Sequence, residues 1–297
     1  MNFEATAGGA LRIDGRATAK DVLVRLTTEV SSLVAEGARP GLAVVLVGGD
    51  PASAIYVRHK IRACDRTGIR SVAHVLSAAT TREALLALID TLNDDDEIDG
   101  ILVQLPLPPQ FDSDEVIARV RPDKDVDGFA LRNLGALAAG RPGLVACTPA
   151  GVMEMLRRYY AQTGGDLSGK HAVVIGRSVT VGKPMALLLL EANCTVTVCH
   201  SRTPDTAAHS RRADVIVAAA GRAKLVKADW VKSGAVVIDV GIHRQEDGTL
   251  CGDVDYLPVT HVAAGISPVP GGVGPMTIAM LLDNTLRAYR ARRGAAS

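Results

Sequence analysis

A tyrosine and a lysine four residues apart are the first side chains here whose types could do chemistry. They lie in Ser53-Ala54-Ile55-Tyr56-Val57-Arg58-His59-Lys60, after an apolar run over residues 42–47 and the turn Gly48-Gly49-Asp50-Pro51. Pro51 suits the first turn of a helix, where a missing N–H costs nothing. A helix running on from it places Ser53, Tyr56 and Lys60 at spacings of three and four, on one face. An aromatic ring and an ammonium then point together from a helix that starts at a strand end, where α/β proteins place their sites. The plain alternative is that Lys60 is an ordinary solvated lysine, as most lysines are.

Two further polar residues stand at comparable places. In Gly100-Ile101-Leu102-Val103-Gln104-Leu105-Pro106-Leu107-Pro108, residues 101–103 read as a strand deep in a parallel sheet. Gln104 sits at its carboxyl end, where the prolines stop it; it is either a loop residue or one that reaches into a cleft. In Pro122-Asp123-Lys124-Asp125-Val126-Asp127-Gly128-Phe129 the charges suggest a solvated turn. An Asp-Gly pair also fixes a tight turn, and a carboxylate there can accept two hydrogen bonds from a flat heterocycle.

The second half carries a different signal. Residues 170–184 read as strand, glycine turn and helix, with Gly176 and Gly182 in the turn. This is the layout of the first βα unit of a dinucleotide-binding fold, in which backbone N–H groups hold a pyrophosphate. The G-x-G-x-x-G fingerprint is absent, and an α/β domain without a nucleotide stays open as the alternative. The next strand, 195–199, ends at His200-Ser201-Arg202-Thr203 with no acid to hold ribose hydroxyls. Ser201, Arg202 and Arg177 would instead offer a 2′-phosphate hydrogen bonds and positive charge, which favours NADP over NAD. The opposing reading leaves both arginines facing solvent.

The elements that must position these residues follow from pattern. Helices are predicted over 17–36, 51–67, 81–93, 114–120 and 148–160, after the glycine turn of 170–184 and on through 191, and from 277 to about 293; strands over 42–47, 71–76, 101–103, at the start of 170–184, and over 195–199, 214–219 and 235–239. Gly37 and Gly68 are expected stops. Thr148 is a candidate cap, with Pro149 at the first helical position. Residues 1–11 read as a loose lead-in, 94–97 as a solvated acidic loop, and 252–255 as a turn. The run Ser267-Pro268-Val269-Pro270-Gly271-Gly272-Val273-Gly274-Pro275-Met276-Thr277 reads as a rigid loop that lets backbone approach a ligand closely.

Composition narrows the class. With 47% apolar residues but only 3% aromatic ones in 297, the chain suits aliphatic parallel sheets in two domains. A net charge of +1 gives no sign of a nucleic-acid or membrane surface. Five cysteines without a C-x-x-C pair, and no basic-then-apolar leader, point to a reduced cytoplasmic setting. The seven histidines form no ligand cluster, so no metal is expected.

Taken together, Tyr56-Val57-Arg58-His59-Lys60, the 100–108 stretch, Lys124-Asp125-Val126-Asp127-Gly128, Val174-Ile175-Gly176-Arg177-Ser178, Asp239-Val240-Gly241-Ile242 and the 268–277 run resemble one family. It is the bifunctional methylenetetrahydrofolate dehydrogenase/methenyltetrahydrofolate cyclohydrolase (FolD) family. The segments keep the family's order over nearly the whole chain, and Pro270-Gly271-Gly272-Val273-Gly274-Pro275-Met276-Thr277 is the most specific of them. Thr180 departs from the family, which often has an aliphatic residue there, and the chain's length leaves no room for the synthetase domain of longer relatives.

The resemblance implies an N-terminal three-layer α/β domain (1–147, completed by the helix 277–297) plus a C-terminal Rossmann-type NADP-binding domain (148–276). The long helices at 148–160 and 277–293 would join them, with the folate cleft between. It implies oxidation of 5,10-methylenetetrahydrofolate by NADP, then hydrolysis of the methenyl cation to 10-formyltetrahydrofolate, in one-carbon metabolism and purine biosynthesis. Lys60 would be the general acid/base of hydrolysis, Gln104 its hydrogen-bond partner, Tyr56 a surface packed on the folate and Asp127 the group that binds the pterin edge. Val103, Gln104, Leu105, Pro268, Val269, Pro270, Gly271, Gly272 and on to Met276 would line the folate cleft. Gly176, Arg177, Ser178, Ser201 and Ile242 would hold the cofactor. A homodimer is implied, with tetrahydrofolate derivatives as the small-molecule substrates. The rival expectations are a dehydrogenase without hydrolytic activity, a catalytically silent NADP-binding regulator, and a Rossmann dehydrogenase acting on small acids.

Overall fold

Aliphatic runs without polar alternation become parallel strands, because helices cover both faces of such a sheet. The computed structural model describes residues 4–294. Its elements begin with β1 (Leu11–Arg12), α1 (Gly15–Ala35), β2 (Gly41–Val47), α2 (Pro51–Thr67), β3 (Arg70–Leu76), α3 (Arg82–Asp94), β4 (Gly100–Val103), α4 (Ser113–Arg119) and α5 (Leu131–Ala138). They continue with α6 (Cys147–Thr163), β5 (His171–Ile175), α7 (Gly182–Glu191), β6 (Thr195–Cys199), α8 (Thr206–Ser210), β7 (Val215–Ala218) and β8 (Val236–Asp239). The last are β9 (His243–Arg244), β10 (Leu250–Cys251), α9 (Tyr256–Val259), β11 (Gly265–Ile266) and α10 (Val273–Gly294). The chain divides into two α/β units, residues 20–147 with those from 278 onward, and residues up to 19 with 148–277.

In the N-terminal unit the parallel sheet runs β3-β2-β4. All seven residues of β2 are buried. On one face Ala43, Val45 and Val47 pack with Leu85, Ile89 and Leu92 of α3 and Val116 of α4. β4 was expected deep in a sheet; it is the edge strand of this one. Its outer edge is satisfied by the 122–128 turn, where Ile101 N donates to Lys124 O at 2.7 Å. The end of α10 belongs here too: Arg292 Nη1 donates to Ile98 O at 2.8 Å and pairs with Asp99 at 3.0 Å.

The C-terminal unit carries a sheet of order β1-β11-β8-β7-β5-β6, each neighbouring pair parallel. After β5 the chain goes to β6 on one side and then to β7 on the other. That reversal creates a crevice outside the carboxyl ends of β5 and β7, the usual ligand position in doubly wound sheets. A small antiparallel hairpin, β9–β10, was not foreseen from the sequence.

Three local expectations need correction. The lead-in is not loose where it is described: Thr6 N donates to Ala10 O at 2.7 Å, and β1 adds an edge strand to β11; residues 1–3 lie outside the described residues. Residues up to 19 therefore group with the second half of the chain rather than the first. Thr148 is not a cap, because α6 already starts at Cys147; its hydroxyl instead meets that of Thr277 at 3.0 Å. The proline-glycine loop is shorter than expected, since α10 begins at Val273 and takes in Pro275 within its first turn, where no N–H partner is lost.

Candidate active site

Local chemistry fixes α2. Asp50 caps it by accepting from Ser53 N at 2.7 Å, Pro51 opens it, and Gly68 at φ 83° closes it. Ser53, Val57, Lys60 and Cys64 form its buried face, and Lys60 is only 8% exposed. The solvated-lysine alternative is thereby excluded. Lys60 Nζ donates to Gln104 Oε1 at 3.0 Å. Gln104 is held on both sides: its N extends the β4 ladder to Val45 O at 2.8 Å, and its Nε2 donates to Leu105 O at 2.6 Å. With the amide nitrogen so engaged, the carbonyl oxygen faces the amine. Tyr56 flanks this face and is 48% exposed, an aromatic residue open to a ligand.

Asp127 sits on a turn built by buried neighbours. Asp125 accepts from Gly128 N at 3.1 Å, Ala130 N at 2.7 Å and Asn133 Nδ2 at 2.9 Å. Gly128 has φ 74°, and a Cβ there would lie 2.3 Å from Ala146 N, so only glycine fits. Asn284, on α10, donates to Val126 O at 2.9 Å and Val145 O at 2.8 Å, fixing the turn from behind. Burial pushes the Asp127 carboxyl up to about 6, against the pull of the Lys60 ammonium and with a further push from Asp125. Among the described residues its carboxylate takes no hydrogen bond, so both oxygens are free to accept from a ligand.

The turn is not solvated as the charge run suggested. Lys124 is fully buried, and its Nζ donates to Leu92 O at 3.0 Å and Asp95 O at 2.7 Å, closing the end of α3. Burial, with Arg292 and Arg121 nearby, pushes its amine down to about 8.

One group of predicted residues thus comes together in the N-terminal unit: Tyr56, Lys60, Val103, Gln104, Leu105 and Asp127. The others, Pro268–Gly272 and the nucleotide residues, belong to the C-terminal unit. There Gly271 has φ 102° after the cis bond Val269–Pro270. The glycines of this loop answer first to the protein's own backbone. A Cβ on Gly15 would lie 1.8 Å from Gly272 O, and Gly271 O accepts from Arg16 N at 2.9 Å.

At the switch point the ends of β5, β6 and β7 enclose a cavity of about 460 Å³. Gly176, Arg177, Ser178 and Ser201 line it as expected; Arg202 and Ile242 do not. Gly176 has φ 134°, and a Cβ on it would meet Ala219 O at 2.1 Å, so the strand ends close together only with glycine there. Ser178 Oγ accepts from Val181 N at 3.1 Å and Gly182 N at 3.3 Å, which leaves its own proton to donate outward. Two guanidiniums (Arg177 and Arg222), the hydroxyls of Ser178, Ser201, Thr203 and Thr206, the rings of His200 and Trp230, and no carboxylate make up the polar lining. That donor set fits a phosphate-bearing ligand.

Comparison with known proteins then decides the family. A family model described as "Tetrahydrofolate dehydrogenase/cyclohydrolase, catalytic domain" matches residues 13–127, and its "NAD(P)-binding domain" counterpart matches 146–293. The chain belongs to the tetrahydrofolate dehydrogenase/cyclohydrolase family. "Bifunctional protein FolD" of Magnetococcus marinus is 57% identical over 94% of this chain and 96% of its own length. Within this family the solved bifunctional FolD enzyme of Campylobacter jejuni is similar with a TM-score of 0.91 at 47% identity, covering 94% of this chain and 98% of that one. The Trypanosoma brucei FolD structure, described as complexed with NADP cofactor and inhibitor, has a TM-score of 0.89 at 41% identity, covering 97% and 99%.

Several residues that shape the nucleotide cavity were not foreseen from the sequence. Asp253, fully buried, accepts from Ala220 N at 2.5 Å, Gly221 N at 2.9 Å and Arg222 N at 2.9 Å, and pairs with His243 Nε2 at 2.7 Å. Behind it Asp239 accepts from Gly241, Asp253 and Val254 N–H groups, and burial pushes its carboxyl up to about 7. The signal was present: Gly241 and Gly252 flank these acids, and a Cβ on either would strike the other's carboxylate.

Proposed function

We propose that this chain oxidises 5,10-methylenetetrahydrofolate with NADP and hydrolyses the resulting 5,10-methenyltetrahydrofolate to 10-formyltetrahydrofolate. The buried Lys60–Gln104 pair at 3.0 Å, beside the open carboxylate of Asp127, carries this reading. Family membership and the similarity to bifunctional FolD proteins support both activities.

NADP, when bound, supplies the hydride acceptor, so the oxidation asks the protein for placement rather than for an acid or base. Arg177, Ser178 and Ser201 hold the phosphate-bearing part through charge-assisted hydrogen bonds, and the Gly176 turn lets the strand end approach it. On the folate side, Asp127 accepts two hydrogen bonds from the donor edge of the pterin. Tyr56 offers its ring face, and Val103 and Leu105 flank Gln104 along the same strand end. Pro268–Gly272 serve as further folate-lining residues, and Ile242 as a cofactor contact.

In the hydrolysis, water adds to the methenyl carbon, the bond from that carbon to N5 breaks, and the formyl group stays on N10. As the general acid/base, the Lys60 amine takes one proton from the adding water and returns it to the departing nitrogen, while water's second proton leaves to solvent as the formyl C=O forms. Gln104 keeps the amine aimed, since its amide can accept from Nζ while its own N–H is held by Leu105 O.

We infer further that the protein works as a cytoplasmic homodimer in one-carbon metabolism, supplying formyl groups for purine biosynthesis. The five cysteines, all free and buried, support a reduced cytoplasmic setting. Among the described residues no helix is long and apolar enough to cross a membrane. The edge strand β6 with Val198 39% exposed, next to α7 with Leu190 58% exposed, offers a surface for a second copy. Assaying the purified chain for NADPH production from methylenetetrahydrofolate, and separately for loss of methenyltetrahydrofolate, tests the whole reading. Turnover in both assays is the expected result, and absence of either activity contradicts it.

A further inference from the structure

We propose that Arg222 is a second guanidinium of the cofactor's 2′-phosphate site, acting opposite Arg177 as a determinant of NADP over NAD. This rests on the NADP reading above and deepens it.

The strand register brings the two arginines to one place. β5 lies between β6 and β7, with Ile175 level with Cys199 on one side and Ala218 on the other. Neighbouring strands lie about 4.8 Å apart, so the segments leaving β5 and β7 start side by side. Arg177 leaves from the first and Arg222 from the second, and both line the same cavity. No acid lines it, and among the described residues neither guanidinium has a carboxylate partner.

What the β7 loop can offer a ligand is then limited by Asp253. Loops at this position can bind anions through successive backbone N–H groups. Here the N–H groups of Ala220, Gly221 and Arg222 are already taken by the buried Asp253 carboxylate, at 2.5, 2.9 and 2.9 Å. The loop is held rigidly and has no backbone donor to spare there. Its remaining contribution is the Arg222 side chain, a fork suited to bidentate contact with a phosphate monoester. The charge of Asp253 is consumed by those three donors and by His243 at 2.7 Å behind the loop.

The test is an Arg222→Gln variant of the full chain, with dissociation constants measured for NADP, NAD and adenosine 2′,5′-bisphosphate as the isolated phosphate probe. Loss of one charge-assisted contact weakens NADP and the bisphosphate by about ten- to a hundredfold. NAD affinity stays within about twofold, which also shows the fold intact, and Arg222→Lys restores part of the loss. Equal weakening of NAD and NADP would overturn the proposal by placing Arg222 on the pyrophosphate, and no change in any constant would make it a solvated arginine. Wild-type protein that does not prefer NADP to NAD would overturn both this and the cofactor reading. That outcome is told apart from a failure confined to Arg222 because it appears before any substitution.

Discussion

Replacing Asp253 by Asn exchanges one oxygen for an NH₂ group and should loosen the nucleotide half of the protein. The carboxylate is fully buried and satisfies four donors, two on each oxygen: Ala220 N and Gly221 N on Oδ2, Arg222 N and His243 Nε2 on Oδ1. An asparagine has the same shape, but one oxygen becomes an NH₂ group. Whichever way the amide turns, that NH₂ faces two former donors. Two hydrogen bonds to a charged acceptor are lost, at about 1.5–3 kcal/mol each, so Asp253→Asn should cost about 3–6 kcal/mol. The single tryptophan, Trp230, lines the cavity in this unit, so its fluorescence in a urea titration reports the affected unit directly. NADP affinity should fall as well, because the loop carrying Arg222 loses its anchor. A loss below about 1 kcal/mol, together with unchanged NADP binding, would refute the idea that this carboxylate holds the loop.

Other substitutions probe the folate half. Asn284→Ala removes both donors to Val126 O and Val145 O and should cost about 2–4 kcal/mol, read as a lower urea midpoint, with weaker folate binding because the Asp127 turn is freed. Asp127→Asn tests the pH dependence. The folded carboxyl is raised from 3.8 to about 6, so the native state holds this proton more tightly than the unfolded chain does between those values. Its stabilising contribution is full below about pH 4 and is lost as pH climbs through 6, by at most roughly 3 kcal/mol. Wild-type stability relative to Asp127→Asn should therefore fall across that window in paired urea melts; a flat difference contradicts the assignment.

Much of this was readable before any coordinates. Residues 51–67 announced themselves through a proline at the start, a glycine at the stop and the three- and four-residue spacing of Ser53, Tyr56 and Lys60 between. The buried strands showed as unbroken aliphatic runs, and Gln104 as the polar residue that ends one of them. Three kinds of feature were not readable. Lys124 and Asp125 look like surface charge in the sequence, because burial of a charge depends on carbonyls and amides supplied from distant elements: Leu92, Asp95 and Asn133. Arg222 and Asp253 lie 31 residues apart, and only the sheet order brings them together. The first strand is two residues long and owes its existence to β11 rather than to its own pattern. Arg202 was chosen by its place after a strand and Ile242 by the family resemblance, and neither is among the residues that line this cavity.

The central claim is that the amine held by Gln104 moves the proton in hydrolysis. Lys60→Met fits the same buried space, since the lysine is 8% exposed and its aliphatic stem is already packed. Methenyltetrahydrofolate hydrolysis, corrected for the spontaneous rate, should fall by about 10²–10⁴-fold, while NADP-dependent oxidation of methylenetetrahydrofolate persists within about tenfold. Hydrolysis at the wild-type rate in a folded Lys60→Met protein would contradict the account.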